Sequence, residues 1–71
     1  MNIPHLPTIR YLKEKEVAAL LGLAVQTLRN YRFKGIGPTY CKVGRAVRYP
    51  LPDVIQFMEG NKISQRVVTA T

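Results

Sequence analysis

Glu16-Val17-Ala18-Ala19-Leu20-Leu21-Gly22-Leu23-Ala24-Val25-Gln26-Thr27-Leu28-Arg29-Asn30-Tyr31 is the stretch that decides how this chain folds. Val17, Leu20 and Leu21 stand at i, i+3 and i+4, the spacing of one helical face, and mark a helix over Lys13–Leu21. Glu14 and Glu16 fall in its first turn, where the helix dipole favours negative charge. Gly22 ends it, because glycine accepts the left-handed backbone that closes a helix in a tight turn. Ala24–Lys34 reads as a second helix, stopped by Gly35, Gly37 and Pro38. Helices joined by so short a turn cross closely, so a small residue is needed at the crossing, and Ala18 supplies it. Leu21, Leu23, Leu28 and Tyr31 stand at the offsets that fasten the second helix to the first. Together these spacings give a helix-turn-helix.

Working outward, Thr39–Tyr49 is a β-hairpin candidate with Val43-Gly44-Arg45-Ala46 as its bend. Two registers compete. A two-residue turn with Gly44 first would set Lys42 on the same face as Val47 and Tyr49. A three-residue loop pairs Val43 with Val47 and Cys41 with Tyr49, leaving Lys42 and Arg48 on the other face. The second is expected, because burying one clean apolar face usually decides register, and it makes Cys41 a small core residue. Pro52–Glu59 reads as a third helix, with Pro52 at its first position, Asp53 in its first turn and Val54, Phe57 and Met58 as its apolar stripe. Arg10-Tyr11-Leu12 is a short extended segment. The expected fold is mostly α with a small β-hairpin: a winged helix-turn-helix ordered helix, turn, helix, wing, helix. It occupies residues 10–60, between a Pro-containing flexible lead-in at 1–9 and a loose tail at 61–71.

Composition narrows what such a domain does. With 71 residues there is room for one small domain, and the 46% hydrophobic content is globular in kind. The longest uncharged run, Val17–Leu28, spans 12 residues, too short for a bilayer, so a soluble, cytoplasmic protein with no membrane partner is expected. The single Cys41 excludes an intramolecular disulfide, and neither metal-ligand spacing, paired carboxylates nor a phosphate-binding glycine loop occurs. His5 lies between prolines with no partner in view. No catalytic residue, metal, cofactor or small-molecule substrate is therefore expected. The net charge of +7 points instead to a polyanion.

That charge is segregated. No acid lies between Val17 and Pro52, a window holding six bases: Arg29, Arg32, Lys34, Lys42, Arg45 and Arg48. Total separation of sign favours a phosphate-facing surface over a merely solvated one. With Leu28 and Tyr31 turned inward, Gln26, Arg29, Asn30 and Phe33 share the outward face of the second helix. Arg suits guanine O6 and N7, and Gln or Asn suits adenine N6 and N7, so Gln26, Arg29 and Asn30 are candidate base readers. Thr27, Arg32 and Lys34 flank them and suit phosphates. Phe33 is expected to pack under the wing, with a thymine methyl as the alternative. Lys42, Arg45 and Arg48 would place the wing on a minor groove or its phosphates.

Tyr11-Leu12, Glu16 to Gly22, Gln26-Thr27-Leu28, Lys42-Val43-Gly44-Arg45-Ala46-Val47-Arg48-Tyr49, Asp53-Val54 and Phe57-Met58 together resemble the excisionase/AlpA-type group. These are small phage and mobile-element proteins with a MerR-like winged-helix domain, and the likeness covers about two-thirds of the chain, Tyr11–Glu59. The resemblance implies a second helix in the major groove and a wing on the flanking minor groove. It also implies a recombination directionality factor, a transcriptional regulator, or both. Two departures stand out. Lys13 and Ala24 replace the Ser or Thr that often caps the first two helices, at a cost of about 1 kcal/mol each. Val25 takes the place of a frequent Arg, so it keeps a flanking position at the DNA without its charge.

The leading expectation is sequence-specific binding of double-stranded DNA by an excisionase that occupies tandem sites, bends the DNA, self-associates along it and assists an integrase in a bacterial host. A transcriptional regulator without an excision role is the alternative. A phage protein-interaction or packaging adaptor, using Asn61–Thr71 as a contact segment that folds on binding, is a third reading. RNA binding is disfavoured because Tyr11, Tyr31, Tyr40 and Tyr49 form no platform of adjacent aromatics.

Overall fold

A computed structural model describes residues 9–64. The expectations of a flexible lead-in and a loose or partner-binding tail rest mainly on residues 1–8 and 65–71 and lie outside the described residues. The chain runs β1 (Tyr11–Lys13), α1 (Glu14–Leu21), α2 (Val25–Lys34), β2 (Cys41–Val43), β3 (Ala46–Pro50) and α3 (Leu51–Gly60). These parts form the winged helix-turn-helix, with the β2–β3 hairpin as the wing.

The turn between α1 and α2 forms as its glycine suggests. Gly22 adopts φ 70°, its N–H donates to the Ala19 carbonyl at 3.2 Å, and the Leu23 N–H reaches Ala18 at 2.8 Å. That bond pair is the Schellman closure, which satisfies carbonyls the helix end leaves open. Gly35 closes α2 in the same way, through Arg32 and Tyr31. At the start of α1 the Lys13 side chain provides no cap, but the Lys13 N–H donates to Glu16 Oε1 at 2.8 Å. The weak cap expected there is therefore partly made good from inside the helix. Ala24 leaves the start of α2 without any side-chain cap.

β3 is the central strand of an antiparallel sheet ordered β1-β3-β2. Leu12 pairs with Tyr49, so the short segment before α1 is a full sheet member, a role the sequence did not reveal. On the other side Cys41 pairs with Arg48, Lys42 with Val47 and Val43 with Ala46. This is the two-residue turn, and it overturns the expected three-residue register. The reason is physical. All three residues of β2 are exposed, so no buried face exists there to set register, and the turn decides it. Gly44 occupies the first turn position with φ 61°, a conformation costly for residues with a Cβ. Cys41 is accordingly exposed and is not a core residue.

The core takes at least one residue from every element except β2. It comprises Leu12, Val17, Ala18, Leu28, Tyr49 and Val54, with Leu21, Val25, Val47 and Leu51 packed around it. Ala18 is buried at the helix crossing, as its size requires. The third helix starts one residue earlier than expected, at Leu51, so Pro52 is its second residue. The Leu51 N–H donates to the Arg10 carbonyl at 2.8 Å, tying α3 to the strand before α1. Its inward stripe is Leu51, Val54 and half-buried Phe57, while Met58 is half-exposed. Among the described residues no helix is long and apolar enough to cross a membrane.

Candidate nucleic-acid interface

Three elements converge on a basic cleft of about 470 Å³: the start of α1, the middle of α2 and the turn side of the wing. Lys13, Lys15, Arg29, Arg32, Arg45 and Arg48 line it, and Glu14 is its single acid. The fold positions them simply. The β1–β3 pairing sets Lys13 opposite Arg48. The two-residue turn projects Arg45 from the wing tip, and the helix crossing brings α2 beside the start of α1.

Glu14 organises the floor of the cleft. Its carboxylate accepts Arg29 Nη2 at 2.6 Å and Arg29 Nε at 3.2 Å, and accepts Arg32 Nη1 at 3.4 Å. The same Arg32 nitrogen donates to the Tyr49 hydroxyl at 3.0 Å. The Arg32 guanidinium also lies 5.6 Å from the Tyr40 ring centroid, within cation–π range. The Arg29 hydrogen bond outweighs desolvation and holds the Glu14 carboxyl below the ordinary carboxylate range. Only 21% of the Arg32 side chain is exposed, whereas Arg29 keeps 48%. Arg32 thus ties α2 to α1 and the wing, and Arg29 remains open to a ligand. The buried Tyr49 ring keeps its hydroxyl satisfied through this tie.

The remaining acids are partly engaged elsewhere: Glu16 pairs with Arg10 and Glu59 with Lys62. Lys13, Lys15, Lys34, Lys42, Arg45 and Arg48 have no acidic partner among the described residues. Arg48 is half-buried and donates to the Val47 carbonyl at 2.8 Å, while Arg45 and Lys42 are exposed. Outside the cleft but on α2, Gln26 and Asn30 are exposed and joined, Gln26 Nε2 donating to Asn30 Oδ1 at 3.1 Å. Thr27 is half-buried and Lys34 exposed. Val25 is half-buried and packs against the core, so it anchors the start of α2 from inside. Phe33 is 91% exposed and does not pack under the wing, because the hairpin reaches α2 through Arg32, Tyr40 and Tyr49 instead.

Residues 11–62 match a helix-turn-helix domain family, HTH_17. The chain belongs to that family. It is therefore a small helix-turn-helix DNA-binding protein, and the match takes in both helices, the wing and α3. A comparison with curated proteins gives no match. For this helix-turn-helix protein, sequence reasoning missed Lys13, Lys15 and Glu14 as cleft residues. Their signal was the pairing of Lys13 with the wing strand, which a three-residue strand does not announce.

Proposed function

We propose that this helix-turn-helix protein binds double-stranded DNA sequence-specifically as a recombination directionality factor of a phage or mobile element. Several copies occupy tandem sites beside an attachment site, associate with one another, bend the DNA and assist the integrase. Regulation of a neighbouring promoter follows from the same binding. The observation that carries this reading is the basic cleft between α2 and the wing. With α2 in a major groove and the wing over the next minor groove, the phosphate strand dividing those grooves crosses that cleft. Gln26, Arg29 and Asn30 then face base edges, Lys34 and Thr27 flank them, and Lys42, Arg45 and Arg48 serve the wing.

Size supports the dependence on neighbours. One module of this kind buries roughly 600–1,000 Å² on DNA, which gives modest affinity for one site. Footprinting and bend measurement on the DNA around the encoding gene test the reading. Repeated adjacent sites protected cooperatively, with a bend, are expected. A single short site without repeats or bending contradicts the excisionase role and leaves a transcriptional regulator.

A further inference from the structure

Glu14 is the one acid in a cleft built for phosphates, a costly place for a carboxylate beside DNA unless it does something there. Its bonding shows what that is. A guanidinium carries five N–H donors in a rigid fork. Glu14 takes one side of the Arg29 fork, the Nε and Nη2 hydrogens at 3.2 and 2.6 Å. Arg29 Nη1 and the second Nη2 hydrogen have no partner among the described residues. They form the end of the fork, two parallel donors of the kind that match guanine O6 and N7. The carboxylate is itself held, since it also accepts Arg32, which is anchored on the Tyr49 hydroxyl and the Tyr40 ring.

We propose that Glu14 is a specificity-determining positioning residue: it grips one edge of Arg29, presents the other edge to a guanine, and bars Arg29 from serving as an indiscriminate phosphate contact. The inference rests on the reading of α2 as the base-reading helix. A free arginine swings to the nearest phosphate, which favours every sequence equally. With its Nε and Nη2 edge held by Glu14, Arg29 must break that pair before it can swing to a phosphate. Glu14 therefore weakens binding to arbitrary DNA and strengthens the distinction between sequences.

The test begins with selection of a preferred duplex from a random pool by the wild-type protein. Affinities for that duplex and a scrambled one are then measured by fluorescence anisotropy at several salt concentrations. Wild type, Glu14→Gln, Arg29→Lys and the double variant are compared, with folding followed by circular dichroism. Glu14→Gln is expected to lower the selected-to-scrambled affinity ratio about tenfold, the scale of one bidentate base contact. Its binding to the scrambled duplex holds or tightens, with a salt slope steeper by about one unit as Arg29 turns to a phosphate. Arg29→Lys lowers the ratio similarly, and the double variant loses no more than either single one. Should Glu14→Gln melt too early to assay, Glu14→Asp, which keeps the charge but is one methylene too short to hold the Arg29 edge, replaces it with the same expected fall in the ratio. An intact ratio in the Glu14 variant, equal tightening on both duplexes, or multiplying losses in the double variant overturns the role of Glu14. A wild-type protein that enriches no sequence overturns the base-reading role of α2 itself.

Discussion

Replacing Arg45 with alanine removes one exposed charge from the tip of the wing and disturbs no core contact. Lys13, Lys15, Arg45 and Arg48 are the four cleft bases without an acidic partner among the described residues. If each meets one phosphate, these four contribute about −3.6 to the slope of log K against log salt, at about 0.9 per phosphate, beside what Lys34 and Lys42 add. Their share of the fall in affinity between about 50 and 200 mM salt is about 150-fold. Without Arg45 that share becomes about 40-fold and the slope is shallower by about 0.9. Anisotropy titrations of Arg45→Ala on a selected and a scrambled duplex measure this, and the ratio between the duplexes should stay unchanged. Lys62→Ala is the control, since Lys62 follows α3, lies outside the cleft and pairs with Glu59 at 3.4 Å. An unchanged slope in Arg45→Ala, or an equal drop in Lys62→Ala, refutes the placement of DNA over the cleft.

Three further outcomes are expected. Leu28→Ala empties the fully buried centre of the core and costs about 2–5 kcal/mol, comparable to the whole stability of a domain this small. Urea unfolding should show a largely unfolded variant in water, and near-wild-type stability would contradict the core assignment. Ala24→Ser supplies the missing cap of α2 and should add about 1 kcal/mol, read as a melting temperature higher by a few degrees. Glu14 governs part of the acid limb of stability. Its folded pKa lies below the ordinary 4.5, so the unfolded chain takes up the proton first as pH falls. The stabilisation is complete above about pH 4.5 and is lost as pH drops through the folded value. Glu14→Gln should flatten stability against pH in that window, and an equally steep acid limb would contradict the ion-pair geometry.

The helices and the turn between them were legible because each is fixed by local chemistry. Gly22 and Gly35 close α1 and α2 with positive φ, and Val17, Ala18 and Leu28 all turn inward at the offsets the crossing requires. The wing was found but its register was misread. The apolar-looking Cys41 and Val43 suggested a buried face, yet β2 is an outer strand with nothing packed on it, so the geometry of Gly44 prevailed. A hydrophobic residue near a turn carries no register information when neither face of its strand is covered, unlike Leu12 on the other outer strand, β1, which is buried. The charge pattern located the basic side but not its construction. Glu14 suited the helix dipole, and nothing in a linear reading revealed that it meets Arg29 and Arg32, 15 and 18 residues away. The same limit applies to Lys13 and Lys15, which join the cleft through pairing of β1 with β3. In the third helix Leu51 joins Val54 against the core, while Met58, two turns further along the same face, is half-exposed near the end of the helix.

The most direct test of the interface is a backbone amide NMR titration of the full chain with a duplex carrying its selected site. Perturbations should concentrate at Lys13–Lys15, along Gln26–Lys34 and around Lys42–Arg48, while Ile55, Met58 and Gly60 on α3 stay nearly unmoved. Shifts centred on α3, with the cleft and the wing turn silent, would contradict the assignment of the DNA-facing side.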